Sequence, residues 1–485
     1  MFSRWVDPHI RTSIALAVLI LSVTGLVLAD RGGGTSVWPT PPVATIATTP
    51  GTHALTPNTT SMPFQGLGVH GRFALSHGRI LASGSRDMFM EIQVLADESR
   101  GVATRLPVAF VLVIDNSGSM AGRKIIDARN SALAMLDQMS ADDQVAVVRF
   151  STDARVVVPL MSVSAARGMA RREIERMSAM GNTDIANALR TADRLVSVVG
   201  DDRARRVVLV TDGRDTSGAP RDTASTVARG STTRGVTVSA LGIGADYDDA
   251  YLADLADSGR GNYEFMASTS ALDRFLTREL QETKQTTVQN VAATLDIPST
   301  VQVTEVWGAT WDRSSNGVRL TFGSMYTGDE RRAVVHLRVN AGPSGSWFTL
   351  GGQMSWRPVG GAPVRLGLSA LRVEAVSDPA QVDNARDHSV IASVVSVQAS
   401  ARELEAARAF ERGDRDRALQ LNAQNRAEID DAATRATGES ASRLRAQRKA
   451  YDENNSVYTT KPPSAAPARE IGARENKNMD DAYAY

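Results

Sequence analysis

The sequence predicts an α/β protein built on a doubly wound, mostly parallel sheet. An all-β sandwich-like unit and a helical C-terminal segment follow it. Three observations carry this reading. Val108–Ile114 is an uninterrupted apolar run, the mark of a strand buried on both faces, Val207–Thr211 reads as a second buried strand, and amphipathic helical patterns alternate with them. Beyond about residue 285 the helical period stops, and short β-rich runs punctuated by Gly and Pro take over. From His388 onward the chain is rich in Ala, Arg and Glu at helical spacing.

Taken in order, Arg4 and Arg11 precede an apolar run from Ile14 to Ala29. The run is shorter than the about 20 residues a membrane span requires. Residues 1–29 read as a signal peptide cleaved before Asp30, after the small residues Val27 and Ala29, or as an uncleaved membrane anchor through residues 12–29. A buried core helix is the third reading. Either of the first two places the rest of the chain outside the cytoplasm. Residues 30–62, Gly-rich and then Thr/Pro-rich, are expected to form a disordered linker. Residues 63–104 are a β segment in which Met88, Met90, Ile92 and Val94 alternate toward one face.

In residues 105–283 the strand Val108–Ile114 leads into a helix over Arg123–Met139, striped by Ile125, Ile126, Ala132, Leu133, Leu136 and Met139. Gln144–Phe150 is a strand with Arg155–Pro159 as its edge partner. Ala165–Met177 and Asp184–Val199 are helices. Val207–Thr211, Val236–Ile243 and Asn262–Met266 are strands separated by helices over Pro220–Thr233 and Asp248–Asp257. Leu272, Phe275, Leu276 and Leu280 stripe a closing helix. Residues 284–380 hold the strands Val288–Ile297, Val301–Ala309, Gly317–Phe322, Ala333–Val339, Trp347–Trp356 and Leu366–Val376. The strand at 86–96 pairs naturally with these, which would make the α/β region an insertion. Trp307, Trp311, Trp347 and Trp356 read as core or sheet surface. Residues 381–450 are expected to form a helical hairpin turning at Gly413-Asp414, and 451–485 a disordered tail.

Composition narrows the chemistry. The chain has 485 residues, 42% of them apolar and 22% charged, so it can bury a sizeable core in several domains. Lys+Arg and Asp+Glu are 54 each, so no global basic field exists to collect nucleic acid. There is no Cys, which excludes disulfides, thiolate metal sites and cysteine nucleophiles.

Three segments stand apart. Asp115-Asn116-Ser117-Gly118-Ser119 follows the first buried strand, Gly181-Asn182-Thr183-Asp184 opens a helix, and Thr211-Asp212-Gly213 follows the second buried strand. In a parallel open sheet, loops at strand C-termini meet at the crevice where ligands bind. Two carboxylates and three hydroxyls would gather there. Hard oxygen donors suit Mg²⁺, with Mn²⁺ or Ca²⁺ also accommodated. With so few charges, a bound ion stays electrophilic toward an external carboxylate. The bland alternative is that Asp115 caps a turn and Ser117 and Ser119 bond nearby backbone. Three segments in strand context favour the site. Asp184 reads as support for a helix N-terminus.

These residues resemble the metal-ion-dependent adhesion site of the von Willebrand factor A family, whose pattern is DxSxS, then Thr, then Asp. Asp115, Ser117 and Ser119 fill the first part, Thr183 the second and Asp212 the third, without departure. The resemblance covers roughly residues 105–283 and implies a Rossmann-like fold. It implies that Ser117, Ser119 and Thr183 ligate the ion directly, and that Asp115 and Asp212 do so directly or through water. It also implies that a protein partner completes the shell with an Asp or Glu, and that no bond is cleaved. The layout is similar, more loosely, to bacterial extracytoplasmic A-domain proteins.

Enzyme readings find little support. Ser stands at 117 where an Asp-nucleophile phosphatase wants a second acid, and Ser117 lacks the flanking Gly pattern of a hydrolase elbow. The six His are scattered without zinc spacing. The expected function is a non-enzymatic, extracytoplasmic interaction module. An accessory or assembly subunit of a membrane or metal-chelatase/oxidoreductase-type complex is the alternative, and a metal-dependent hydrolase a distant third.

Overall fold

The computed structural model describes residues 59–97, 106–243, 249–266, 272–462 and 471–472. The expected targeting segment, 1–29, and most of the linker expected at 30–62 lie outside them. Among the described residues no helix is long and apolar enough to cross a membrane.

Four strands come first: β1 (Ser61–Gly66), β2 (Val69–Leu75), β3 (Arg79–Leu81) and β4 (Gly84–Ala96). The α/β region follows as β5 (Val108–Asp115), α1 (Arg123–Gln138), β6 (Gln144–Phe150), β7 (Ala154–Ser162) and α2 (Val163–Glu175). It continues with α3 (Ile185–Val196), β8 (Ala204–Thr211), α4 (Thr223–Thr233), β9 (Val236–Ile243), α5 (Asp249–Gly259), β10 (Arg260–Met266) and α6 (Leu272–Lys284). Then come β11 (Thr286–Asp296), β12 (Val301–Trp307), β13 (Thr310–Ser314), β14 (Gly317–Tyr326), β15 (Glu330–Ala341), β16 (Trp347–Pro358) and β17 (Val364–Val376). The last helices are α7 (Pro379–Asp383), α8 (His388–Glu411), α9 (Arg415–Arg435) and α10 (Gly438–Thr460).

The central sheet runs β10-β9-β8-β5-β6-β7, parallel except for the antiparallel edge strand β7. Every residue of β5, β8 and β9 is buried, because helices cover both faces. Phe110, Leu112, Ile114, Val208 and Val210 pack against α1, α2 and α6. The alternate set Val111, Val113, Val207 and Leu209 packs against α3, α4 and α5. The strand order reverses beside β5: the chain moves to β6 and β7 on one side, then returns as β8 on the other. The crevice this opens lies at the C-terminal ends of β5 and β8.

The α/β region is inserted into a β-sandwich. One sheet runs β1-β2-β4-β15-β12, the other β13-β14-β11-β16-β17-β3. The strand β4, before the insertion, pairs with β15, after it, along Gly84–Leu95. Met88, Met90, Ile92 and Val94 all point into the sandwich core, as their alternation predicts. The turn between β14 and β15 binds both connections. Gly328 N–H donates to Ala96 O at 3.2 Å, Ala96 N–H to Asp329 O at 2.9 Å, and Thr327 N–H to Gln285 O at 3.0 Å. Arg331, paired with Asp329 at 3.0 Å, also reaches Arg260 O at 3.4 Å. Gln289 Nε2 donates to Arg203 O at 3.0 Å, and Arg357 pairs with Asp201 at 3.3 Å. The sandwich therefore abuts the edge of the parallel sheet where β8 begins, opposite the crevice.

Several expectations are corrected. A strand, β1, begins at Ser61 inside the region expected to be linker; it is an edge strand, where Pro63 costs no ladder bond, and only Phe64 of it is buried. The expected helical hairpin is three long helices. Residues 451–460, expected in a disordered tail, form the end of α10, because Tyr451, Asn454 and Tyr458 make a helical stripe that is fully buried. That stripe escapes an apolar count because its members carry polar atoms. The turn at Gly413-Asp414 stands where expected: Gly413 has φ +89° and Asp414 caps α9 by accepting from Arg417 N. Trp356 is core, whereas Trp347 lies on the surface with the Arg372 guanidinium over its ring.

The helical unit is tied down by buried polar groups. Glu91 on β4 is fully buried and bonds Arg72 at 2.6 Å, while Arg72 and Arg332 donate to Ser389 and Ser393 of α8. Within the bundle, Glu403 of α8 accepts from Asn422 and Asn425 of α9 at 2.9 Å each, and from Asn454 of α10 at 3.0 Å. All four side chains are 0% exposed. Truncating Glu403 to Ala strands three amide donors and should cost about 3 kcal/mol or more, read as a lower denaturant midpoint. Burial raises the Glu403 pKa above its ordinary value near 4.5. The folded state then holds the proton more tightly than the unfolded one. The carboxyl's contribution is complete below that ordinary value and is lost as pH rises through the folded one. The stability of wild type relative to Glu403→Gln should accordingly fall as pH rises from 4.5; a pH-independent difference would show that the carboxyl is not shifted.

Candidate metal centre

The strand β5 delivers Asp115 to the crevice as its last residue, with the carboxylate completely buried. Its Oδ1 accepts from Ser117 N at 2.7 Å, which folds the loop back over the strand end. Its Oδ2 accepts from Thr211 Oγ1, at the end of β8, at 2.5 Å. A short 3₁₀ turn, Gly118–Met120, then directs Ser119 inward. Ser117 Oγ and Ser119 Oγ lie 3.0 Å apart, and Ser119 Oγ donates to Asp212 Oδ1 at 2.8 Å.

Loop 178–184 is held to this cluster by backbone bonds and by the Asn116 side-chain amide. Asn116 Nδ2 donates to Ser178 O at 2.9 Å, Met180 N–H to Asn116 O at 2.6 Å, and Gly118 N–H to Gly181 O at 3.0 Å. Gly181, at φ +77°, makes the bend. Thr183 is fixed on its other side: its N–H donates to Thr216 Oγ1 at 3.0 Å and its carbonyl accepts from Thr216 N at 2.9 Å. Asp184 accepts from Asn187 N at 2.9 Å and caps α3, the supporting role its position suggests.

Gly213 marks where the donors converge. A Cβ at this position would lie 3.1 Å from Thr183 Oγ1, 3.4 Å from Ser119 Oγ and 3.7 Å from Asp115 Oδ2. The three separate segments thus bring Asp115, Ser117, Ser119, Thr183 and Asp212 to one place. Four of them are under 5% exposed, and Ser119 stands at the opening. Burial pushes the Asp115 carboxyl up to about 6, with the neighbouring Asp212 carboxylate adding to the shift and hydrogen bonds from Thr211 and Ser117 opposing it. Two desolvated carboxylates side by side make a place that favours a cation. The donors are oxygen alone, which fits a hard dication. Among the described residues no three Asp, Glu or His side chains gather as a metal cluster, because hydroxyls supply more than half of this one.

Sequence reasoning did not single out Lys124, Thr211 or Asn116. Lys124 Nζ contacts Asp212 Oδ2 at 2.5 Å. Thr211 was legible only as the end of a strand, yet its hydroxyl bridges the Asp115 carboxylate and Gly213 N. Asn116 was visible as a polar residue at a buried strand end.

Residues 110–282 match the family model of the von Willebrand factor type A domain. The chain contains a von Willebrand factor type A domain. The domain is similar to that of human inter-alpha-trypsin inhibitor heavy chain H4, 33% identical over 167 residues, covering 32% of this chain and 18% of that one. It also resembles sll0103 of Synechocystis sp., 29% identical over 166 residues, 34% of this chain and 39% of that one. Escherichia coli YfbK is 27% identical over 215 residues, 43% of this chain and 36% of that one. The chain thus spans less than half of each of these relatives. Two solved structures share the fold beyond the type A domain. A von Willebrand factor type A protein of Catenulispora acidiphila superposes with a TM-score of 0.66 at 20% identity, covering 85% of this chain and 98% of that one. The ArnB paralog VWA2 of Sulfolobus acidocaldarius gives 0.59 at 14% identity, covering 88% and 99%.

The point beside Gly213 yields a direct test. Gly213→Ala should crowd the Thr183 and Ser119 hydroxyls and weaken Mg²⁺ binding about tenfold, a loss of about 1.4 kcal/mol, measured by titration calorimetry. Its φ is not in the left-handed region, so the melting temperature without metal should barely move.

Proposed function

We propose that this chain is a non-enzymatic, extracytoplasmic interaction protein that binds a protein partner through Mg²⁺ held by Asp115, Ser117, Ser119, Thr183 and Asp212. The observation that carries the reading is the convergence of two buried carboxylates and three hydroxyls at the sheet crevice, with one side open at Ser119. Bound there, Mg²⁺ supplies a Lewis-acidic position for a carboxylate oxygen of the partner. Ser117, Ser119 and Thr183 offer neutral oxygens that leave the ion's charge largely unspent. Asp115 and Asp212 provide the negative potential that retains it. The backbone bonds among the three loops fix these groups in advance, so little order is lost on binding.

A docking role is favoured over turnover because, among the described residues, no imidazole accompanies the oxygens. The His residues of the described region lie at 70, 77, 336 and 388, all in the β-sandwich and at the start of α8. Ser117 and Ser119 bond each other and Asp212, with no imidazole to activate them. The extracytoplasmic assignment rests on Arg4, Arg11 and the apolar run Ile14–Ala29.

Capture from the envelope or secreted fraction of the source cell tests this, with full-length wild type and Asp115→Ala as baits, in Mg²⁺ and in EDTA. A protein retained only by wild type in Mg²⁺ is the expected result. Circular dichroism should show Asp115→Ala still folded, since the site lies at the rim of a complete sheet. Equal retention under all four conditions would move the interaction to the sandwich or the helical unit and remove the metal from the function.

A further inference from the structure

Both oxygens of the Asp212 carboxylate are engaged. Oδ1 accepts from Ser119 Oγ at 2.8 Å, and Oδ2 contacts Lys124 Nζ at 2.5 Å. The same ammonium lies 3.4 Å from Ser119 O. Asp212 is fully buried, whereas the Lys124 side chain keeps 29% of its surface exposed. A monovalent cation is thus built into the oxygen cluster to which the proposed function assigns a dication, and this inference rests on that reading.

We propose that Lys124 is a resident counter-cation that competes with the dication for Asp212, so that metal uptake is an exchange and Lys124 sets its affinity. The electrostatics run in one direction. With no dication, the ammonium offsets one of two desolvated carboxylates and stabilises the loops. With a dication present, it is a like charge a few ångströms away, and it occupies one of the oxygens. The side chain is suited to leave. It stands on the first turn of α1, just after Gly122 at φ +80° and the largely exposed Arg123, with a short path to solvent.

The choice of residue supports this. Only five of the 54 basic residues are lysine. Most ion pairs in the described structure use Arg, whose planar fork can grip a carboxylate through two parallel bonds. At Asp212 the chain instead places an ammonium, a point charge on a flexible stem, which releases a carboxylate more readily. A merely structural lysine, pinning α1 to the loop, would have no effect on metal affinity beyond loosening the site.

The experiment is Mg²⁺ titration calorimetry on EDTA-stripped, full-length protein, with melting curves in EDTA and in saturating Mg²⁺. Lys124→Gln should bind Mg²⁺ about tenfold tighter than wild type, the scale of a unit charge a few ångströms from a dication. It should melt lower in EDTA and recover most of the loss in Mg²⁺. Lys124→Arg should bind no tighter than wild type. Arg123→Gln, which removes a neighbouring charge that pairs with Asp127 instead, should leave affinity unchanged. Equal or weaker binding by a folded Lys124→Gln overturns the proposal, as does an equal gain from Arg123→Gln. If Lys124→Gln does not fold, ¹³Cε-lysine NMR on wild type decides: the Lys124 resonance should shift on Mg²⁺ saturation, and a resonance that stays fixed overturns the proposal. Absence of Mg²⁺ binding by wild type and every variant would instead remove the metal reading itself.

Discussion

Two carboxylates without water at the end of a parallel sheet are the constraint around which the rest is arranged. Asp115 and Asp212 end up together because the strands that carry them, β5 and β8, are neighbours at the point where the strand order reverses. Neither is solvated, and burial holds the Asp115 carboxyl well above its usual range. Such a pair persists only if surrounding groups counter the repulsion. Thr211, the backbone of Ser117, Ser119 and Lys124 all do so. The loops are consequently specified in detail, each pinned by several bonds to the next. A site this well organised binds with small entropic loss, and any change that relaxes one loop is felt by the other two.

The remaining architecture holds that sheet in place. The type A domain leaves the sandwich after β4 and rejoins it at β11, and one turn, Thr327–Asp329, bonds both connections. Arg331 beside that turn reaches the carbonyl of Arg260 at the start of β10. On the sandwich's other side, α8 covers the face carrying Ala74, Phe89 and Val334. Its seating depends on the buried Glu91 and its two arginines. Polar groups thus recur at the junctions between units and, as the Glu403 cluster, inside the helical bundle, while the cores of the sandwich and of the type A domain are mainly apolar. That division gives each unit a stable core and each junction a defined geometry.

What could be read in advance follows the same division. Apolar runs announce β5 and β8, and the DxSxS, Thr and Asp segments announce the crevice, because burial on both faces and clustered oxygen-bearing side chains each leave a dense local signature. The order of strands and helices in the type A domain was legible for that reason. The signals that failed were those carried by mixed or long-range features. The stripe Tyr451, Asn454, Tyr458 looks polar until Glu403, some 50 residues earlier, is known to face it. The strand β1 has one buried side chain and borrows its stability from β2. Lys124 looks like an ordinary surface residue near a helix start; only the folded position of Asp212 gives it a partner.

The insertion has a mechanical consequence. The connections to the sandwich meet the sheet at the starts of its strands, whereas the oxygen cluster stands at their ends. β5 joins the two levels over eight residues, a span of about 26 Å at the usual rise per residue. A partner that pulls on the crevice would therefore load β5 lengthwise. Tension would be shared among the hydrogen bonds to β6 and β8 at once, so that the ladder is sheared and not unzipped. Under the proposed docking role, this orientation lets the fold carry load along its most thoroughly buried strand.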